Sequence, residues 1–345
     1  MRAFLLSVAS TLALSGCETL SYYAQAVGGH LELTGRARPV AELLADAQTE
    51  PQLRERLAIA QSVRDFASRE LRLPDNGSYR RYSELGRPYA VWNVVAAPEF
   101  SLQPVPSCFP VAGCVSYRGY FAREDAQRHA ARERDRSLDA FVYGVPAYST
   151  LGFFDDPLLS TFIGWPEAEL ARLVFHELAH QLVYVKGDST FNEGFAVVVD
   201  RHGVERWLAA SGRAADLLKF REARERERSF ARVLDEARAR LEALYRLDIP
   251  PAEMRARKRA EFERLAADPV YVRGAARFEA APNNALLASF ATYSELVPGF
   301  ERLLAEADGE LERFYASVKA LAELDKAERW RRLRSQDSAT STILR

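Results

Sequence analysis

The chain has 345 residues, of which 48% are apolar and 28% charged, and its formal net charge is −1. That length suffices for one large domain or two small ones, and aromatic residues spread along it exclude a chain disordered throughout. Near-neutral charge leaves no electrostatic case for a nucleic-acid partner or for a strongly acidic or basic one.

At the N-terminus, Arg2 precedes an apolar run from Ala3 to Leu14. The run is too short for a membrane-spanning helix and has the pattern of an export signal. It ends in Leu14-Ser15-Gly16-Cys17, which resembles the bacterial lipobox. The resemblance implies removal of residues 1–16 and attachment of lipid to the thiol and amine of Cys17. By similarity to Gram-negative lipoproteins, Glu18 in the next position implies the inner leaflet of the outer membrane, facing the periplasm. Two or more acyl chains anchor a protein stably. Residues 17–40 read as a lipidated tether leading into a first helix, with His30 as a surface or packing residue. No later stretch approaches 18 consecutive apolar residues, so the remainder is expected to be soluble.

Residues 41–330 are expected to form a single domain, divided at about residue 160, with 331–345 as a frayed tail. Helical spacing of apolar residues runs through "PVAELLADAQTEPQLRERLAIAQSVRDFASREL", with a break near Glu50-Pro51. Segments rich in Tyr, Val, Trp and Phe follow, separated by Gly and Pro, and read as strands of a small mixed or antiparallel sheet. Cys108 and Cys114 lie in this part, five residues apart with Pro110 and Gly113 between them. In an oxidising compartment they are expected to form a disulfide closing a small loop. Residues 123–136 read as a charged helix with His129 solvated, and "VPAYSTLGFFDDP" as a strand followed by a turn-rich loop. From Pro166 to about Leu324 the pattern is almost entirely helical, which makes the fold class α+β. The Arg- and Glu-dense stretch 213–265 alternates in sign, as a solvated helical pair does.

The stretch "VFHELAHQLVYV" carries two of the five histidines. On a helix, His176 and His180 share one face a turn apart, so both imidazoles can bind one tetrahedral metal. Glu177 sits beside the first histidine. Leu170, Val174, Leu178 and Leu182 line the opposite face, with Phe175, Ala179 and Val183 filling the flanks. The helix is therefore buried, and unpaired imidazoles on it would be costly to desolvate. After the turn Lys186-Gly187-Asp188, with Ser189 or Thr190 as the cap, a second helix would bring Glu193 back towards His180. Asp200, seven residues further on, shares the face of Glu193 and can accept a hydrogen bond from a ligand histidine. The phase of that helix turns His202 elsewhere, as a structural residue.

His176-Glu177-Leu178-Ala179-His180 followed by Asn192-Glu193-Gly194-Phe195-Ala196 and an acid at Asp200 resembles the gluzincin zinc aminopeptidases. The spacer of twelve residues between His180 and Glu193 is shorter than in the large members. With its lipobox, "AYSTLGFFDDP" and "NNALLASFATYSELVP", the whole chain is similar to a family of bacterial lipoproteins identified as aminopeptidases. The resemblance implies a gluzincin-like fold and one zinc ion held by His176, His180 and Glu193. It also implies hydrolysis of a peptide substrate by a zinc-bound water that Glu177 deprotonates. By the same resemblance the stretch with Tyr148, Ser149 and Thr150 is an edge strand for substrate, and Tyr293 is an oxyanion donor supported by Asn283 and Asn284. The family's Gly-Ala-Met-Glu-Asn strand, which binds the substrate amine, is absent, leaving Asp155 or Asp156 as substitutes. Two alternatives stay open: an endopeptidase or peptidoglycan-peptide hydrolase, and a non-catalytic lipoprotein scaffold stabilised by zinc.

Overall fold

Alternation along Val91–Pro98 decides the middle of the chain, because its two faces meet different helices. A computed structural model describes residues 21–334, apart from 110–112, 277 and 279 and the side chains of 292–294. The expected lipidation at Cys17 lies outside the described residues. Residues 21–35, assigned above to the tether, are helical (α1), and Leu33 is buried. Next come β1 (Arg38–Pro39), α2 (Val40–Ala45) and α3 (Pro51–Arg69), with Pro51 opening α3 as expected of a proline at a first helical position. The strand region holds β2 (Arg81–Ser83), β3 (Val91–Pro98), β4 (Ser107–Phe109), β5 (Gly113–Val115), β6 (Arg118–Tyr120), β7 (Leu138–Val145) and β8 (Leu158–Leu159), with α4 (Arg123–Asp135) between β6 and β7.

β3 is the centre of an antiparallel sheet in the order β6-β3-β7, pairing Val91 with Val145 and Pro98 with Leu138 at its ends. β1, β2 and β8 form a second small sheet, antiparallel at β1-β2 and parallel at β2-β8. β4 and β5 form a hairpin in which Cys108 faces Cys114, and the two are joined by a disulfide. Val94 and Ala140 point to one face of the central sheet, where they meet Ala126 and Ala130 of α4. Val95, Ala97 and Phe141 point to the other.

The helical half follows: α5 (Ser160–Ile163), α6 (Glu167–Leu182), α7 (Ser189–Ala210), α8 (Ala214–Tyr245), α9 (Pro251–Ala267), α10 (Pro269–Ala275), α11 (Asn284–Ser294), α12 (Val297–Glu306), α13 (Leu311–Ala322) and α14 (Lys326–Arg334). The fold is α+β and 62% helical. One core gathers α3, α6, α7, α12 and α13, with Phe175, Phe191, Phe195, Phe300 and Phe314 fully buried. A second core packs α8 to α11 on the outer face of β3 and β7. Ion pairs such as Arg240–Glu261 (2.7 Å) tie α8 to α9 across their charged faces. No helix among the described residues is long and apolar enough to cross a membrane.

Four expectations change. His129 is only 9% exposed, because α4 docks its Ala126–Ala130 stripe on the sheet and carries the histidine inward. "VPAYSTLGFF" is no edge strand: β7 ends at Val145, and residues 146–157 form a loop. The cap of α7 is Asp188, whose carboxylate accepts the N–H of Phe191, rather than Ser189 or Thr190. Asn283 and Asn284 hold α11 on the sheet. Asn283 caps the helix, and Asn284 donates to the carbonyls of Pro98 and Glu99 and accepts from the hydroxyl of Tyr245.

Candidate metal centre

α6 and α7 are adjacent and antiparallel because the turn between them is closed on itself. Gly187 takes a positive φ of 80°, which glycine adopts without strain. Asn192 then brackets the turn, accepting the N–H of Val185 (2.8 Å) and donating to its carbonyl (2.9 Å). Asp188, 1% exposed, receives Arg329 (2.8 Å) and the indole N–H of Trp330 (3.0 Å), so α14 secures the start of α7. A Cβ on Gly194 would lie 3.2 Å from the Phe300 ring, so this glycine lets α12 approach closely.

The pairing brings three predicted ligands together. His176 Nε2 lies 3.1 Å from Glu193 Oε2 and 3.2 Å from His180 Nε2, and His180 Nε2 lies 3.7 Å from Glu193 Oε2. Two ligands about 2.05 Å from a tetrahedral zinc are separated by ~3.3 Å, so this triangle has the size of such a site. Among the described residues, no other group of three or more His, Cys, Asp or Glu side chains converges so as to hold a metal ion. Asp200, fully buried, accepts the Nδ1–H of His176 at 2.9 Å. That bond turns Nε2 of His176 towards the centre, where it faces a carboxylate oxygen.

Burial alone would lower the pKa of His176, but Asp200 and Glu193 outweigh it and raise it to about 10. Burial would raise Glu193, yet the two histidines hold it well below the usual carboxylate range. Arg172 lies 4.0 Å from Asp200 and 3.0 Å from Glu169, which in turn contacts the buried Arg224 (2.5 Å). A chain of alternating charges thus runs from the triangle towards α8.

Four tyrosines that sequence reasoning did not single out feel the charge of Glu193 or Glu177. Tyr117 precedes β6 and feels both Glu193 and Glu177. Burial, reinforced by these carboxylates, pushes its pKa well above the ordinary value. Tyr143 on β7 is pushed up to about 12, chiefly by burial and also by Glu193. Tyr184 is raised by burial and by Glu193. Tyr79, 2% exposed, is raised by burial, Glu177 and Asp156, and its hydroxyl has no hydrogen-bond partner among the described residues. All four are neutral O–H groups near neutral pH. Tyr293 lies on α11, but its side chain is outside the described residues.

The proposed substrate loop is built around Asp156. This carboxylate, 2% exposed, accepts from the Thr150 N–H (3.0 Å), the Thr150 hydroxyl (2.8 Å) and the Ser149 hydroxyl (3.3 Å). Burial pushes its pKa up to about 6 against those hydrogen bonds, and Glu177 adds to the rise. Asp155 is exposed and lies over Gly77. Tyr148 packs on Phe121 (5.1 Å between ring centroids) and against His30. His202 is half-buried, and its pKa is lowered by burial.

Fold and site define an α+β protein in which an HExxH helix and a glutamate-bearing helix converge on one polar triangle. Over residues 21–333 the chain matches the family model described as "Putative aminopeptidase", and it belongs to that family. No curated protein and no solved structure matches it.

Proposed function

We propose that this protein is a zinc metallopeptidase of the bacterial cell envelope, acting as an aminopeptidase and anchored to the outer membrane through lipid on Cys17. The observation that carries the reading is the convergence of His176, His180 and Glu193 with Asp200 behind the first histidine. His176, His180 and Glu193 would hold a zinc ion, which would supply a Lewis acid for a peptide carbonyl and would lower the pKa of water towards ~7. Asp200 fixes the His176 tautomer and keeps its Nε2 available. Glu177, on the same turn as the histidines but outside the triangle, takes the proton from the attacking water and delivers it to the leaving amine nitrogen. The hydroxyl of Tyr117, which feels the charge of both Glu193 and Glu177, donates to the carbonyl oxygen as negative charge develops there. Tyr293, whose side chain lies outside the described residues, is the other candidate for this role.

One observation favours the second reading, an endopeptidase or peptidoglycan-peptide hydrolase. Asp156, a candidate for binding a substrate's free amine, is spent on Thr150 and Ser149 of its own loop. A digest of a peptide library separates the two. Cuts confined to N-terminal residues support the aminopeptidase, and internal cuts remove it. Glu177→Gln should cut turnover by about 10²–10⁴-fold with metal content unchanged. Hydrolysis that survives this change removes Glu177 as the general base, whereas a wild-type chain that holds zinc and cuts no peptide is a zinc-stabilised scaffold.

A further inference from the structure

Helix α1 is apolar on the face it turns away from the protein. Its inner side is fixed: Gly29 lies under the Phe121 ring, Leu33 is buried, and Gln25 accepts the N–H of Phe121 (3.1 Å). Its outer side shows Tyr23, Ala24, Val27 and Leu31, with Val27 58% and Leu31 61% exposed. The one charged residue within 21–35, Glu32, is half-buried and paired with Arg87 (3.1 Å) and Arg36 (3.4 Å). A helix with uncharged residues on its solvent side is an unusual pattern for a surface helix.

The substrate loop continues this face. Phe153 is 68% exposed and Phe154 59%, and the Phe154 ring lies 4.7 Å from that of His30 on α1. The loop tip is a built turn. Thr150 accepts the N–H of Phe153 on its carbonyl and the N–H of Phe154 on its hydroxyl, both at 3.1 Å. Eight large apolar side chains are exposed among the described residues, and five of them belong to α1 or this tip. Leu218, Leu247 and Val272 stand far along the chain, on or beside the helical arms. Clustering of this kind marks an interaction surface rather than scattered exposure.

We propose that α1 and the Phe153-Phe154 tip form a membrane-docking face that lies in the interfacial layer of the leaflet to which Cys17 is attached. The proposal rests on the lipid-anchor reading. Ser21 follows Cys17 by four residue steps, and a chain extends at most ~3.5 Å per residue, so α1 starts within ~14 Å of the anchored cysteine. The headgroup layer on each side of a bilayer is only about 5–8 Å thick. An anchored chain therefore holds α1 at the bilayer surface, where an uncharged outer face is favoured. A Cβ on Gly152 of the same loop would lie 3.4 Å from the Gln181 side chain on α6, so the docked tip adjoins the helix that carries the histidines. The site is thereby biased towards peptides at the membrane surface.

The test uses the full, processed chain in vesicles of phosphatidylethanolamine and phosphatidylglycerol with brominated acyl chains. Tryptophan is introduced by Leu31→Trp, by Phe153→Trp and, as a control, by Val272→Trp, and each is compared with the wild-type chain and its own tryptophans. The probes at 31 and 153 should lose at least half of their added fluorescence, while the probe at 272 should lose none. Mass analysis of the mature N-terminus reports the anchor separately. An acylated Cys17 with probes at 31 and 153 behaving like that at 272 overturns docking and leaves the anchor reading intact. A chain without lipid on Cys17 overturns both. Shielding of the two probes that follows protein concentration rather than bromine marks a contact between copies and overturns docking.

Discussion

At the scale of single residues, the site is governed by which atom holds which proton. Asp200 has no exposure, and its contact with His176 Nδ1 leaves Nε2 with only one direction in which to act. Asp200→Asn removes the carboxylate and permits the other tautomer. Metal affinity should fall about 10–100-fold, measured by competition with a chelator, while the helical content stays unchanged. An affinity equal to that of the wild type would mean that His176 is not oriented by Asp200. Tyr117 makes the complementary case on the substrate side. Its high pKa keeps it a donor throughout the neutral range, under the influence of Glu193 and Glu177. Tyr117→Phe should lower kcat about 10²-fold with little change in KM or metal content, the pattern of an interaction made only in the transition state. A rise in KM at constant kcat would assign Tyr117 to ground-state binding instead.

At the scale of elements, the loop 146–157 is organised around one buried carboxyl, that of Asp156. Asp156 sits at the closed end of the loop, and its own carbonyl accepts the N–H of Tyr79 (2.6 Å), fixing the loop to the segment before β2. In the folded protein this carboxyl holds its proton up to about pH 6, whereas its ordinary value is 3.8. Between those values the folded state binds more protons than the unfolded one. The stability contributed by this group is therefore fully present below about pH 3.8 and is lost as pH rises through about 6. The loss is on the order of 2–3 kcal/mol. Asp156→Asn has no proton to lose and can still accept the Thr150 N–H. Urea unfolding of both chains from pH 4 to 7 should show the wild type losing this amount relative to the variant. A difference that stays flat with pH would mean that burial of the carboxyl is offset by its hydrogen bonds.

At the scale of the whole molecule, what could be read from the sequence was what depends on neighbours along the chain. His176 and His180 are one helical turn apart, and Glu193 follows after a turn short enough to force an antiparallel pair, so the triangle follows from local spacing. The alternation of Val94 and Val95 likewise announces a strand covered on both faces. Tyr79, Tyr117, Tyr143 and Tyr184 carry no such signal. They come from different segments: Tyr143 from β7, Tyr117 from the link between β5 and β6, Tyr79 from the stretch before β2 and Tyr184 from the α6–α7 turn, and only the tertiary fold lets each feel Glu193 or Glu177. The same holds for Asp188, whose partners Arg329 and Trp330 lie 141 and 142 residues away. The Cys108–Cys114 hairpin stands between the two cases. Its bond was foreseeable, but not its position: a Cβ on Gly113 would lie 2.6 Å from the Lys186 side chain and 3.0 Å from the Gly187 nitrogen. The hairpin therefore rests on the α6–α7 turn and leads within three residues to Tyr117. Closing so short a loop stabilises the fold by only about 2 kcal/mol, so its larger effect should be on the site. Reduction of the native chain, verified by thiol titration, should lower kcat several-fold while the metal stays bound. A Cys108→Ser/Cys114→Ser variant should start at that lower value and ignore the reductant. A wild-type chain that is fully reduced and equally active would show that the turn and Tyr117 are held without the disulfide.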